Sequence, residues 1–233
     1  MVDMKHAKRG YEQILKELKS MADPRGVAGM ARFGINPRTI VLGISVPNLR
    51  AMAKEIGKDH RLALRLWKSG VHEARLLACL IDDPKDVTGE QMDDWVLGFD
   101  SWDVCDLCCG SLFDRTGLAY RKAFDWSARD EEYVKRAGYV MMAALSVHDK
   151  AMGDDKFLAF LPVIVRGSGD DRNFVKKAVN WALRQIGKRN QRLNKAAIRT
   201  GEEIGRMKAS SARWIASDAL RELRSENVQK RLR

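Results

Sequence analysis

The chain has 233 residues, 45% of them hydrophobic and 31% charged, which allows a sizeable core and excludes an intrinsically disordered protein. A net charge of +11 and a pI near 9.6 favour an anionic partner, nucleic acid before an anionic membrane surface. No apolar run reaches the roughly 18 residues needed to cross a bilayer, and the charged start MVDMKHAKRGYEQILKEL has no signal-peptide core, so a cytoplasmic protein is expected.

Nearly the whole chain reads at helical period with short polar breaks, and strand-like alternation is scarce. A first helix is expected near Lys5 to Met21, with Ile14, Leu15 and Leu18 inward. Asp23-Pro24, a cap followed by proline at the first helical position, opens a second helix to Arg32. Phe33 to Val46 reads as a loop, and Val46-Pro47 opens a helix to Ile56. Helices follow at Asp59 to Lys68, His72 to Ile81, Gly89 to Phe99, Ser101 to Phe113 and Gly117 to Ser127. The series continues with Asp130 to His148, Asp154 to Val165, Asp170 to Lys188, Gln191 to Met207 and Ser210 to Asn227, and QKRLR reads as a frayed tail. His72-Glu73-Ala74-Arg75 is expected on a helical surface, and Trp67, Trp95, Trp126 and Trp214 are expected between layers.

Connections of a few residues imply antiparallel helical neighbours. Lys135-Arg136-Ala137 aligns with Lys176-Lys177-Ala178 at an offset of 41, and WALRQI with DALREL at an offset of 37 (181 to 218). Periods near forty with paired helices mark an α-solenoid, so the expectation is one all-α domain over residues 1–233, with a compact bundle as the alternative. Of the four cysteines, Cys105, Cys108 and Cys109 crowd into one helical segment and Cys79 stands apart. That spacing favours reduced thiols, and Cys105 and Cys108 lack the second ligand pair that a closed zinc site needs, so no metal is expected.

The most informative stretch is Asp171 to Asn190, DRNFVKKAVNWALRQIGKRN. Phe174, Val175, Ala178, Val179, Ala182, Gln185 and Ile186 form one stripe. Lys177, Trp181, Arg184 and Lys188 form another, a tryptophan among cations. That surface suits a polyanion with stackable groups; the competing reading puts Trp181 in the core and leaves the cations solvated. In FDSWDVCDLCCGSLF, Ser101 is a candidate cap, and Trp102 and Asp106 share a face near the helix start. A carboxylate on so apolar a helix calls for a partner, either a structural ion pair or a functional one. Arg136 is the cation close to the apolar face of the Asp130 to His148 helix, and its fork suits a phosphate or a carboxylate.

With SWDVCD at Ser101 to Asp106 and the stretch Gly43 to Pro84, GISVPNLRAMAKEIGKDHRLALRLWKSGVHEARLLACLIDDP, these residues resemble the AlkD-type family of DNA alkylation repair glycosylases, over roughly Val41 to Lys188. The resemblance implies a solenoid of HEAT-like repeats with a concave, basic groove for double-stranded DNA. It also implies hydrolysis of the N-glycosidic bond of cationic N3- and N7-alkylated purines without metal or cofactor. By the family's motif, Asp106 corresponds to the catalytic aspartate, Trp102 and Trp181 to the aromatic residues against the damaged nucleotide, and Arg136 to an arginine on the DNA backbone. The family motif has a further aromatic just before the tryptophan, where this chain has Ser101.

Physically, an alkylated purine already leaves easily, so the task is to stabilise the charge developing on the deoxyribose. An ionised Asp106 does this, kept charged by the helix dipole and by Arg136 or Arg184. Lys177, Arg184 and Lys188 would anchor phosphates. The expected protein is a monomeric glycosylase. A helical-repeat scaffold for distorted DNA or a protein partner, and more remotely an RNA-binding repeat protein, are the other readings.

Overall fold

Capping residues and prolines set several helix starts in the computed structural model, which describes residues 9–232. Among these residues there are fifteen α-helices and no strand, only an isolated bridge between Ile40 and Val71. The chain divides into two compact units. One runs through Asp93 and adds Asp100–Leu112; the other holds Asp94–Phe99 and everything from Phe113.

The first unit contains α1 (Tyr11–Ser20), α2 (Pro24–Arg32), α3 (Val46–Ile56), α4 (His60–Trp67), α5 (His72–Ile81) and α7 (Trp102–Ser111); α6 (Gly89–Leu97) is divided between the units. Asp23 caps α2 by accepting the Arg25 N–H, ahead of Pro24, as the sequence predicts. α3 begins at Val46 with Pro47 in its first turn. The predicted first helix begins at Tyr11; its Lys5 to Lys8 portion lies outside the described residues.

At the centre is α5, against α3, α4 and α7. Its first turn corrects the surface expectation: His72 and Glu73 are 0% exposed and Arg75 is 4% exposed. Each has a long-range partner. The Glu73 carboxylate accepts the backbone N–H groups of Leu42, Gly43 and Ile44 at 2.9, 2.6 and 3.3 Å. His72 Nε2 meets Asp103 Oδ2 at 2.7 Å. The Arg75 guanidinium donates to Asp100 at 2.8 Å and lies over the Trp67 ring. A buried charge with such partners avoids the desolvation penalty that makes isolated buried charges rare. Residues 33–45, correctly expected as a loop, are thereby fixed. Ile40 exchanges backbone bonds with Gly70 and His72, and the Arg38 N–H donates to Asp100. Gly43, at φ +80°, approaches Gly26 so closely that a Cβ on either residue would meet backbone.

The second unit contains α8 (Ala119–Ser127), α9 (Glu132–His148), α10 (Asp154–Leu158), α11 (Leu161–Gly167), α12 (Asn173–Gly187), α13 (Gln191–Gly205), α14 (Ser210–Leu223) and α15 (Glu226–Arg231). From Arg136 to Ser146 every residue of α9 is buried, which marks it as the core helix between α8 and α12. Its Gly138 lets the backbone of Ser127 approach α9. The expected helix from Asp154 to Val165 breaks after Leu158, because Pro162 supplies no N–H and its ring opposes a helical carbonyl at residue 158. The expected helix from Ser210 to Asn227 breaks at Ser225, which caps α15 through the Val228 N–H, so Gln229 to Arg231 are helical and not frayed. Trp67, Trp95 and Trp126 are buried as expected, but Trp214 is 41% exposed.

The expected repeat has a physical counterpart in this unit. Arg136 reaches Phe174, Asn180 reaches Asp218 and Arg184 reaches Glu222, each at a separation of 38 residues. Asn180–Asp218 and Arg184–Glu222 advance together along α12 and α14, and Tyr133–Phe174 and Ser146–Arg189 advance together along α9 and α12 to its end, so the three helices run parallel.

Truncating Glu73 leaves three buried donors without an acceptor. Glu73→Ala is expected to destabilise the protein by roughly 3 kcal/mol, with Glu73→Gln intermediate. Urea unfolding followed by circular dichroism measures this; a loss under about 0.5 kcal/mol would show that the loop is held by other contacts.

Candidate functional site

Trp102 and Asp106 stand four residues apart on α7 and both line one cavity of about 710 Å³ in the first unit. That volume lies within the range of small-molecule sites. Its walls are α7, α2 and the loop fixed by Glu73, with Gly29, Met30, Phe33, Ile44 and Leu107 giving a mostly apolar surface. Polar side chains are few: Asp103, Asp106, Arg50, Ser45 and Ser111, with the indole of Trp102. Trp102 Nε1 donates to the Phe33 carbonyl at 3.0 Å, which sets the ring's orientation against the loop. Ser101 occupies the expected N-cap position in extended backbone, but its hydroxyl makes no capping bond.

Asp103 extends the site into the core. Burial opposes its ionisation, but the hydrogen bond and charge of His72, helped by Ser101 and the Val104 N–H, hold its carboxyl below the usual carboxylate range. A negative charge is thus built into the turn that carries Asp106. The cysteines of this unit are all buried. Burial first, and then Cys79, pushes the Cys108 thiol well above its ordinary value, which suits inert packing groups. Among the described residues no cluster of three or more histidine, cysteine or acidic side chains is arranged to hold a metal.

The remaining expected site residues lie in the second unit. Arg136 is 5% exposed and its Nη1 donates to the Phe174 carbonyl at 2.6 Å, at the start of α12. Trp181 is half-buried midway along α12, and Lys177 is exposed. Arg184 and Lys188 both bind Glu222 of α14, Lys188 at 2.6 Å, and Arg184 also lies 3.7 Å from Asp218. Burial works against the charge of Glu222, but Lys188 and Arg184 keep its pKa below the ordinary value. Sequence reasoning missed Asp103, Arg50 and the loop wall. The Trp102-Asp103 pair at a helix start was a visible signal; the loop wall depends on Glu73 and left none.

A family model described as DNA alkylation repair enzyme matches residues 14–223. The chain belongs to this family. Among curated proteins, the family member is 22% identical over 132 residues to uncharacterized protein Lmo0209 of Listeria monocytogenes, covering 55% of this chain and 59% of that protein. Uncharacterized protein Lin0241 of Listeria innocua matches to the same extent. The chain thus spans about three fifths of the length of the curated relatives it matches. A solved structure described as "a new family of proteins related to the HEAT-like repeat DNA glycosylases with affinity for branched DNA structures" superposes with a TM-score of 0.77 at 20% identity, covering 96% of each chain. The all-α, HEAT-like repeat fold expected from the sequence is therefore the fold of this protein. No described helix is long and apolar enough to cross a membrane.

The depressed Asp103 fixes a pH dependence. Stability from the His72–Asp103 contact is present above the unfolded carboxylate value near 3.8 and lost as pH falls through the lower folded value. Asp103→Asn is expected to lower the melting temperature at pH 7 and to reduce the gap from wild type below pH 4, measured by thermal melts across pH. A gap independent of pH would place the contribution of Asp103 outside its charge.

Proposed function

We propose that this protein is a DNA glycosylase that hydrolyses the N-glycosidic bond of N3- and N7-alkylated purines in double-stranded DNA. The observation that carries this reading is the pairing of Asp106 and Trp102 at the wall of an apolar cavity in a chain of the DNA alkylation repair family. An alkylated purine is cationic. As the bond to C1′ breaks, its electron pair leaves with the base and neutralises it, so no acid is needed. Positive charge develops on the sugar, and Asp106 stabilises it from the wall of a mostly apolar cavity. Water then adds to C1′ and gives up a proton, leaving an abasic site and a free base. Trp102 favours the cationic nucleotide by about 0.5–2 kcal/mol through its ring face.

In this reading Trp181 contacts the DNA from the second unit and Lys177, Arg184 and Lys188 bind phosphates, whereas Arg136, expected on the DNA backbone, is buried against the Phe174 carbonyl and positions the start of α12 instead. The protein acts as a monomer in the cytoplasm. Arg184 and Lys188 exchange Glu222 for phosphate when DNA arrives, a step that needs no new charge. A second reading, a non-catalytic scaffold for distorted DNA, is favoured by the solved relative whose description names affinity for branched DNA.

Release of 7-methylguanine and 3-methyladenine from methylated duplex DNA separates the two. Asp106→Asn is expected to slow release at least a hundredfold and to leave duplex affinity within about twofold. Release by the variant at the wild-type rate would remove Asp106 from the chemistry, and no release by wild type would leave the scaffold. Independently, Lys177→Ala and Lys188→Ala should each flatten the log–log dependence of DNA affinity on salt by about 0.9 per lost phosphate contact. An unchanged slope puts that side chain off the DNA.

A further inference from the structure

We infer that Trp214 and the cations around it form a second nucleic-acid contact, a stacking platform for an unpaired base of a DNA strand. The inference rests on the DNA-binding part of the proposed function, not on its chemistry. Trp67, Trp95 and Trp126 are buried to within 8%, whereas the Trp214 ring is 41% exposed on α14. Lys176 of α12 holds its Nζ 5.6 Å from the ring centroid, so one side of the indole faces a cation and much of the ring stays open. From Gly205 to Ala216 the chain carries Arg206, Lys208 and Arg213, all exposed, and no acidic residue. Arg213 Nη1 donates to the Lys208 carbonyl at 2.8 Å, which keeps its guanidinium over this basic turn.

The neighbouring acids are engaged. Asp171 accepts from the Ser210 hydroxyl and the Ser211 N–H at the start of α14. Asp218, one turn beyond Trp214, accepts from Asn180 and Arg221. Asp171 keeps its charge near Lys176, and the four cations Lys176, Arg206, Lys208 and Arg213 outnumber these two acids. Trp214 also stands 38 residues beyond Lys176, the separation that joins Asn180 to Asp218 and Arg184 to Glu222, so the platform is the next position in the row shared by α12 and α14.

Exposed aromatic faces beside cations bind nucleic-acid strands because every base has a π-face and every linkage a phosphate. In a duplex the base faces are hidden in the stack. Trp214 therefore has its natural partner in an unpaired nucleotide, as in a single-stranded tail or gap.

The test compares full-length wild type, Trp214→Ala and Trp214→Phe by fluorescence anisotropy. The probes are a blunt duplex, the same duplex with a single-stranded DNA tail, and that duplex with an RNA tail. Wild type should prefer the DNA-tailed duplex to the blunt one. Trp214→Ala should bind the tailed duplex roughly tenfold more weakly and the blunt duplex within twofold, and Trp214→Phe should restore most of the loss. Matching melting temperatures for the three proteins exclude misfolding. Unchanged binding of the tailed duplex by Trp214→Ala overturns the inference, as does an equal loss on blunt and tailed DNA. A preference for the RNA tail overturns the assignment to DNA. Failure of wild type to bind any probe sinks the DNA-binding reading itself.

Discussion

Three backbone N–H groups ending on one buried carboxylate hold the first unit in its working form. Without Glu73, residues 42–44 would be a loop passing a helix; with it, they become a wall. Trp102 is then oriented by the Phe33 carbonyl of the same loop, and Asp106 opens into the space so enclosed. Arg75 and Asp100 tie the loop's other end, since Asp100 receives both Arg75 and the Arg38 N–H. The cavity is thus made by polar contacts in the core, while its lining stays apolar. That division suits a site that must hold a flat cation and leave one carboxylate effective. Charge on Asp106 counts for more where few dipoles compete with it.

Different physics organises the second unit. Its helices α9, α12 and α14 stack in parallel, with side-chain pairs at one separation joining α12 to α14. Cations on α12 are held by acids on α14, with Glu222 serving both Arg184 and Lys188. Such half-buried pairs fix side-chain position at little net stability. They also leave the cations poised: a phosphate can replace the carboxylate without either charge entering a new environment. Lys177 is exposed, and the Trp214 turn carries the exposed cations Arg206, Lys208 and Arg213, with Asp171 held by Ser210 and Ser211 at its start.

Local signals made much of this legible. Asp23-Pro24 marked a helix start because a cap and a proline act within one turn, and Pro47 marked another by its place in the first turn of α3. Most of the buried stripe of α12 (Val175, Ala178, Val179, Ala182 and Ile186) followed from spacing, whereas Phe174 and Gln185 are half-buried and the buried Asn180, Leu183 and Gly187 lay outside the expected stripe. Pro162 was present in the sequence, yet its break between α10 and α11 was read as one helix because a proline inside the first turn of a new helix resembles a continuation. His72, Glu73 and Arg75 looked like a solvated face, since their partners lie 25 to 31 residues away and leave no periodic trace. The exposure of Trp214 was equally hidden: burial of an indole depends on whether another helix covers it. Asp106 and Trp102 were found because one turn of α7 brings them together, whereas the cavity they face depends on the distant loop.

In the proposed reaction the lesion's own positive charge replaces an acid, so that Asp106 need only stabilise the sugar. Single-turnover base release, followed by mass spectrometry between about pH 5.5 and 9, tests it most directly. Release of 7-methylguanine is expected at a rate nearly independent of pH, with no release of a neutral modified purine such as ethenoadenine from the same duplex. Release of the neutral base at a comparable rate, or a steep rise in rate toward acid, would show that a proton donor drives the reaction and would contradict the account.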